Sequence, residues 1–214
     1  FGAFAGAVTA SIFGSSWAGL IGAPIAGALL GALLALFTIK YRADNIVVGV
    51  VLNMLALGVT SFLFSTLLSN SSHLNKPQRL PIIAIPVLQD IPFIGPVMFR
   101  QTILVYLMYA AVIILQFMLF NSRWGLRLRA VGEKPREADT VGIRFNSIRW
   151  NNVILGGAID GLGGAFFTVG SVGVFSKDLT VGNGFIALAA VIMGRWHPVL
   201  AASMALFFGF VVQM

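Results

Sequence analysis

Long apolar stretches alternate with short polar breaks along this chain, and the first 39 residues set the pattern. They contain no charged residue, and they form too long a run for one membrane helix of about 20 residues. The segment Gly14-Ser15-Ser16-Trp17 interrupts the run, and its tryptophan suits a membrane interface. We therefore predict the end of one helix over residues 1–13 and a complete membrane helix over residues 18–39.

Three further apolar stretches, residues 46–68, 102–120 and 151–175, are long enough to cross a bilayer. Hydrophobic residues make up 58% of the chain and charged residues 10%, with a mean hydropathy of +0.93, whereas soluble domains carry about 25% charged residues. The pattern predicts an all-α, polytopic transmembrane helical bundle that forms a single domain over residues 1–214. Because both termini lie in apolar sequence, we expect it to be a piece of a longer chain.

Residues 69–101 differ from these spans because they contain five prolines. Proline lacks a backbone N–H and interrupts helices. We therefore predict an ordered loop outside the membrane, with a short helix near residues 82–88.

The last apolar part of the chain is broken twice. A polar segment at residues 176–184 precedes ten apolar residues, 185–194, and Arg195-Trp196-His197-Pro198 separates these from residues 199–214. Transporters use half-length helices of this kind near the substrate path. We predict a broken or re-entrant helix here, with an ordinary helix interrupted at a membrane interface as the alternative.

Two parts of the chain share one order of features: a helix rich in Gly and Ala, a polar turn and an apolar stretch. If the spans alternate in direction, the first of these helices runs inward and the second runs outward. The two parts would then form an inverted repeat, as in many transporters. They are residues 22–39, 43–45 and 46 onward, and residues 156–175, 182–184 and 185 onward.

The most polar segment, residues 121–150, lies between apolar stretches. It carries seven of the 14 basic residues and three of the seven acidic residues. Because basic residues collect in short cytoplasmic loops, we predict that this segment is cytoplasmic and that residues 69–101 are extracytoplasmic, with the opposite orientation as the alternative. The same rule accounts for the net charge of +7 without a nucleic-acid partner.

No combination of residues typical of catalysis occurs in the sequence. His73 and His197 lie in different loops, there is no cysteine, and no cluster has the spacing of metal ligands. No glycine-rich segment is followed by the Lys-Ser/Thr pair of a phosphate-binding loop. We predict that the chain is not an enzyme and that it binds no metal or other cofactor itself.

The sequence GLRLRAVGEKPREADTVGI at residues 125–143 closely resembles the cytoplasmic loop of permease subunits of ATP-binding-cassette (ABC) importers. The family is the one that includes branched-chain amino acid, ribose and nucleoside permeases. RADNIVVG at residues 42–49 and GFIALAAVIMG at residues 184–194 are similar to the branch associated with nucleoside or simple-sugar uptake. The resemblance covers nearly the whole chain and implies a multi-pass protein of the bacterial plasma (inner) membrane.

This resemblance implies a permease subunit that forms half of the translocation path for a nucleoside or simple sugar. The expected partners are an ABC ATPase subunit, a second permease subunit in a homo- or heterodimer, and an extracytoplasmic substrate-binding protein. ATP and Mg²⁺ are expected on the ATPase. The alternatives are a branched-chain amino acid permease of the same family and, from another class, a membrane channel or scaffold without ATPase coupling.

The resemblance also implies a coupling loop over residues 121–150. Because the fixed φ of Pro135 suits the first turn of a helix, we expect a short helix over residues 135–139 between turns at Gly132 and Gly142. Such a helix can lie in a groove of the ATPase and transmit its movement, although the arginines could instead face anionic lipid. The predicted coupling residues are Arg129, Gly132, Glu133, Pro135, Arg136, Ala138, Asp139 and Gly142.

A few polar groups within the spans are candidates for the substrate path. The amide of Asn53 needs a partner in hydrocarbon, which is either the path or another helix. Asp160 replaces the small apolar residue usual in this family, as Lys134 replaces a common Asn, and a carboxylate at membrane depth is costly unless it is paired or hydrated. We expect Asp160 to be a polar contact in the path or to be satisfied locally. The predicted path residues are Asn53, Thr60, Ser171 and Asn183, with Phe175 and Phe185 as stacking or gating rings.

Overall fold

The structure is a computed structural model that describes residues 1–68, 77, 79–84, 100–140, 142–176, 179–180 and 182–214. The helices in these residues are α1 (Gly2–Phe13), α2 (Ser16–Ala35), α3 (Asn45–Leu63), α4 (Ile103–Asn121), α5 (Arg123–Glu133), α6 (Pro135–Thr140), α7 (Phe145–Ala165), α8 (Asn183–Met193) and α9 (Pro198–Gln213). Three of them continue into a π-helical segment: α2 into Leu36–Lys40, α3 into Phe64–Leu68 and α7 into Phe166–Val172.

Four helices of the described residues are long and apolar enough to cross a membrane: Ser16–Lys40, Asn45–Leu67, Ile103–Asn121 and Phe145–Val172. The helices α1, α8 and α9 are shorter but also apolar. The predicted polytopic helical bundle is therefore confirmed. The left-handed Gly14, with a φ of 59°, ends α1 at the break predicted from the sequence.

The short helix predicted near residues 82–88 is wrong where the structure describes it. Residues Ile82–Ala84 form strand β1, which pairs with strand β2 at Arg100–Thr102 in a two-stranded sheet. Its β-branched isoleucines favour an extended backbone, and the partner strand supplies the hydrogen bonds that a helix would make internally. The remainder of that predicted helix, most of the predicted extracytoplasmic loop and His73 lie outside the described residues.

Helix α7 begins earlier than predicted. It starts at Phe145, six residues before the apolar stretch, so the end of the polar segment belongs to a membrane-spanning helix. Polar side chains here do not interrupt the helical hydrogen bonds. The Asn152 side chain, for example, donates to the carbonyl oxygen of Ile148 one turn earlier, at 2.6 Å.

The described chain forms two compact units. The first contains Phe1–Ile82 and Asn146–Leu179, and the second contains Ile83–Phe145 and Thr180–Met214.

Small residues hold α2 and α7 together in the first unit. A methyl group added at Gly27 would meet the carbonyl oxygen of Gly157, and one added at Gly31 would lie 2.8 Å from the carbonyl oxygen of Val153. In return, a methyl group at Gly161 would meet the carbonyl oxygen of Ala23. Glycines four residues apart on both helices let the backbones touch, which is how helices associate closely in lipid.

One end of the first unit collects three segments that are distant in sequence. The N–H of Leu80 donates to the carbonyl oxygen of Val169 at 3.0 Å, and the Arg79 side chain donates to that of Val172 at 2.6 Å. The Ser16 hydroxyl donates to the carbonyl oxygen of Arg79 at 3.3 Å. The start of α2, the end of the α7 span and part of the predicted extracytoplasmic loop therefore lie together.

In the second unit α8 and α9 pack against each other, and α9 also packs against α4. The turn between them has left-handed backbone at Arg195 and Trp196, with φ of 52° and 61°. A methyl group added at Gly194 would meet the backbone of Ala201. The eleven-residue α8 and this tight turn confirm the predicted broken helix, while re-entry into the membrane stays a prediction.

Candidate functional site

The first unit contains an open cavity of about 600 Å³ between α2, α3 and α7. Two of the residues that line it carry polar side chains, Asn53 on α3 and Asp160 on α7. Both side chains are exposed in the isolated chain. The rest of the lining is Phe1, Gly2, Gly27, Leu30, Gly31, Leu34, Gly49, Leu52, Ala56, Val153, Gly156, Gly157 and Gly161.

The width of this cavity depends on glycines in two different ways. Gly27 and Gly157 draw α2 and α7 together and so form its floor. Gly49 and Gly156 face open space, since a methyl group added at either would meet nothing within 4 Å. A methyl group at either of these last two positions would lie in the cavity or its mouth without touching the neighbouring helices.

A second cavity of about 520 Å³ shares part of the same helices, and the indole N–H of Trp150 is the one polar side-chain group among the described residues of its lining. Leu33, Leu55, Val59 and Trp150 are among the residues around it. A substrate that needs hydrogen bonds would find a single side-chain donor there, the indole of Trp150, and no side-chain acceptor. The cavity with Asn53 and Asp160 is therefore the better candidate for part of a substrate path.

The predicted path residues of the first unit do not all reach this cavity. Thr60 is buried and donates its hydroxyl hydrogen to the carbonyl oxygen of Ala56, at 2.7 Å, so its own helix satisfies it. Ser171 is exposed in the π-helical segment after α7. Phe175 is buried against Phe4 and Phe64, with ring centroids 5.4 and 5.9 Å apart, in a packed aromatic cluster.

The other two predicted path residues belong to the second unit. Asn183 is the first residue of α8 and is partly buried, and Phe185 on the same helix is 74% exposed. Of the predicted residues, the structure brings Asn53 and Asp160 to one cavity. The role of each residue in a substrate path stays a prediction.

The predicted coupling loop forms two consecutive helices, α5 and α6. The short helix expected over residues 135–139 is present as α6, with the side chain of Ala138 buried. The left-handed Gly142, with a φ of 81°, follows it. Gly132 faces open space, and Glu133 is an exposed residue at the end of α5. Pro135, Arg136 and Asp139 all contribute backbone to α6.

Helix α5 was not predicted from the sequence. Its buried positions are Gly125 and Val131. The less exposed apolar residues Trp124, Leu128 and Val131 recur at i, i+4 and i+7 with exposed arginines between them, the spacing of one helical face. That periodicity was the available signal. Arg129 on this helix is exposed, and its guanidinium carbon lies 5.0 Å from the centre of the Phe120 ring.

Charge on the coupling helices is arranged at the surface. Lys134 Nζ lies 3.0 Å from Glu137 Oε1, and both side chains are about two thirds exposed. Such an exposed ion pair contributes little to the stability of the fold. Because both side chains are exposed, both charged groups are accessible to a partner. Among the residues that the structure describes, no group of three or more His, Asp or Glu side chains could hold a metal ion.

Comparison with known proteins assigns this chain to a family. The family described as branched-chain amino acid transport system / permease component matches residues 1–214. The chain belongs to this permease family. It is therefore a transport subunit, and the predicted location in the plasma membrane as a multi-pass protein is confirmed by this membership and the four candidate spans.

Several relatives resemble the chain over most of its length. It is 40% identical to the nucleoside ABC transporter permease protein NupC of Lactococcus lactis subsp. cremoris, over 97% of this chain and 68% of the relative. It is 39% identical to the guanosine ABC transporter permease protein NupQ of Bacillus subtilis, over 91% of this chain and 61% of the relative. No solved structure matches it. The predicted resemblance to ABC permeases, including those for nucleosides, is thus confirmed.

A third relative is named for a different substrate, glucose. The chain is 33% identical to the putative glucose ABC transporter permease protein TsgC13 of Haloferax volcanii, over 92% of this chain and 60% of the relative. The chain therefore spans between 60% and 68% of the length of these three relatives.

Proposed function

We propose that this chain forms half of the translocation path of an ABC importer for a nucleoside. The observation that carries the substrate assignment is the identity of 40% and 39% to a nucleoside and a guanosine permease, over more than nine tenths of the chain. A simple sugar is the second candidate, because a relative named for glucose shares 33% identity. A branched-chain amino acid has the weaker support of the family description alone.

The cavity of the first unit supports a small, partly polar substrate. Its volume of about 600 Å³ falls in the range of about 300–1,000 Å³ usual for small-molecule sites. Asn53 can donate and accept hydrogen bonds, and an ionised Asp160 can only accept them. Sugar hydroxyl groups and base N–H groups donate to such acceptors, while the leucines and glycines around them suit the flat face of a base.

The sparse polar lining also agrees with a conduit. A path that bound its substrate through many hydrogen bonds would release it slowly, because each net bond contributes about 0.5–1.5 kcal/mol. Two polar side chains in an apolar wall can orient a substrate and still let it pass. Tight recognition then belongs to an extracytoplasmic substrate-binding protein, which we propose as one partner.

The helices α5 and α6 are proposed as the docking element for a separate ATPase. Support comes from their amphipathic sequence, from the buried Ala138 that fixes α6, and from the exposed Lys134 and Glu137. The 214 residues contain no phosphate-binding motif, so ATP and Mg²⁺ are assigned to the ATPase. A second permease subunit, identical or related, would complete the path.

The decisive experiment is substrate uptake by the full-length permease, expressed with the subunits encoded beside it. Uptake of labelled guanosine, uridine, glucose, ribose and leucine is compared in cells with and without the permease. We expect ATP-dependent uptake of the nucleosides only. Uptake of glucose or ribose instead would support the sugar permease, uptake of leucine would support the amino acid permease, and ATP-independent uptake would support a channel.

A further inference from the structure

Helix α5 is attached firmly to the end of α4. The Ser122 side chain accepts a hydrogen bond from the N–H of Gly125 at 3.1 Å and donates to the carbonyl oxygen of Met118. Gly125 is buried, and a methyl group added there would meet the carbonyl oxygens of Met118 and Leu119. The corner between α4 and α5 is therefore capped by Ser122 and closely packed at Gly125.

A stack of side chains extends from this corner to the break between α8 and α9. The guanidinium carbon of Arg129 lies 5.0 Å from the centre of the Phe120 ring. The Phe120 and His197 rings lie 4.8 Å apart between centroids, with an interplanar angle of 31°. The Nε2 atoms of Gln116 and His197 are 3.4 Å apart. We call Arg129, Phe120 and His197 the corner stack.

His197 connects the corner stack to the start of α9. It is the N-cap residue of α9 and directly precedes Pro198, while its own N–H donates to the carbonyl oxygen of Gly194 at 3.0 Å. Immediately before it lie the two left-handed residues, Arg195 and Trp196. Residues other than glycine rarely adopt a left-handed backbone unless neighbouring contacts hold it. We therefore expect contacts such as the corner stack to stabilise the turn at Arg195 and Trp196.

We propose that the corner stack transmits movement of α5 to the α8–α9 break, and that Phe120 and His197 are positioning residues for ATP-driven transport. The inference rests on the proposed docking of an ATPase at α5 and α6. Arg129 gives the stack a charged outer face on the docking element. Phe120 passes the displacement across the corner, and His197 converts it into a change at the start of α9.

The test measures coupling and not only activity. The full-length permease is reconstituted in liposomes with its ATPase, second permease and binding protein, and substrate uptake and ATP hydrolysis are measured together. The variants are Phe120→Ala, His197→Ala, the double variant and the conservative Phe120→Tyr. Phe117→Ala is the matched control, because Phe117 lies on the same helix and is 65% exposed.

We expect Phe120→Ala and His197→Ala each to lower uptake per ATP hydrolysed about three- to tenfold, the factor that corresponds to loss of one aromatic pair. Hydrolysis and recovery of the ATPase with the permease should stay near the unsubstituted level. The double variant should be no worse than the single variants, because each single variant already removes the Phe120–His197 contact that joins the two ends of the stack. Phe120→Tyr keeps the ring and should restore the ratio, and Phe117→Ala should leave it unchanged.

Three results would overturn the proposal: a proportional loss of uptake and hydrolysis, effects that add in the double variant, or an equal effect of Phe117→Ala. If Phe120→Ala does not reach the membrane, Phe120→Leu keeps most of the volume without the ring, and the same ratio decides. If instead the proposed docking of an ATPase at α5 and α6 is wrong, the ATPase will not co-purify with the unsubstituted permease. An unchanged ratio in variants that do recover the ATPase refutes the corner stack alone.

Discussion

Individual glycines decide how close α2 and α7 lie, and hence the floor of the cavity. Gly27 and Gly157 lie where the two backbones touch, and a methyl group at either would meet a carbonyl oxygen of the other helix. Gly49 lines the same cavity and faces open space. The same substitution should therefore have opposite consequences at positions 27 and 49.

Gly27→Val should destabilise the permease by about 1–3 kcal/mol, the cost of inserting side-chain volume into a packed interface. Gly49→Val should leave stability close to the unsubstituted value but slow nucleoside uptake, because the new side chain narrows the cavity. Thermal unfolding of the purified complex measures the first effect, and the initial rate of uptake measures the second. Equal melting temperatures for the two variants would contradict the packing described for α2 and α7.

Asp160 raises a different question, because its carboxylate is costly at membrane depth and the structure places it in the cavity wall. Asp160→Ala should lower nucleoside uptake about three- to tenfold through loss of one hydrogen bond of about 0.5–1.5 kcal/mol. Stability should not fall, because the carboxylate is removed from an apolar setting. Asp160→Asn keeps an acceptor and should retain most of the uptake.

The neighbouring residue provides the control for Asp160. Ile159 lies on the same helix, is 49% exposed and is not part of the cavity lining. Ile159→Ala should change neither uptake nor stability appreciably. Unchanged uptake for Asp160→Ala at normal expression would show that this carboxylate is merely tolerated.

At the level of elements, the sequence predicted most of what depends on local pattern. The four spans follow from apolar length, the break before α9 follows from its polar residues, and α6 follows from Pro135 and the flanking glycines. Strand β1 could not be predicted in this way, because it depends on Arg100–Thr102, far along the chain. The early start of α7 was missed because its first residues are polar and were assigned to the loop.

In the candidate site, too, contacts between residues distant in sequence could not be predicted. Asn53 and Asp160 were recognised from the sequence as polar groups at membrane depth, but their shared cavity depends on how α2, α3 and α7 pack. Phe175 was predicted to line the path, and its burial against Phe4 and Phe64 depends on tertiary contacts that no periodicity records. The sequence therefore identified polar residues at membrane depth more reliably than it predicted which side chains contact one another.

The docking role of α5 and α6 can be tested by exchanging one element. Replacing residues 133–139 by a Gly/Ser segment of equal length removes α6, since glycine disfavours a helix by about 1 kcal/mol per residue. We expect the ATPase to be lost from the purified complex while membrane insertion is retained. Lys134→Ala alone should change recovery of the ATPase by less than about fivefold, because an exposed ion pair contributes at most about 1 kcal/mol. Full recovery after the exchange would place docking elsewhere.

For the whole molecule, orientation in the membrane links the proposed path to the proposed docking element. The first unit brings the start of α2, the end of the α7 span and loop residues Arg79 and Leu80 to one end. An alternation of spans with residues 69–101 outside requires this arrangement. With that orientation, the turn after α2 and the start of α7 would lie on the cytoplasmic side, and the docking of α5 and α6 to an ATPase requires that they too are cytoplasmic.

Single cysteines can test this orientation directly, because the 214 residues contain none of their own. Pro81 and Glu137 are both exposed, which makes them a matched pair on the two predicted sides. In intact cells a membrane-impermeant maleimide should label full-length permease whose one cysteine is that of Pro81→Cys and spare the variant whose one cysteine is that of Glu137→Cys. Permeabilised cells should show both labelled, which confirms that both thiols are reactive. The reverse pattern in intact cells would invert the topology, place α5 and α6 outside the cell, and refute their docking to a cytoplasmic ATPase.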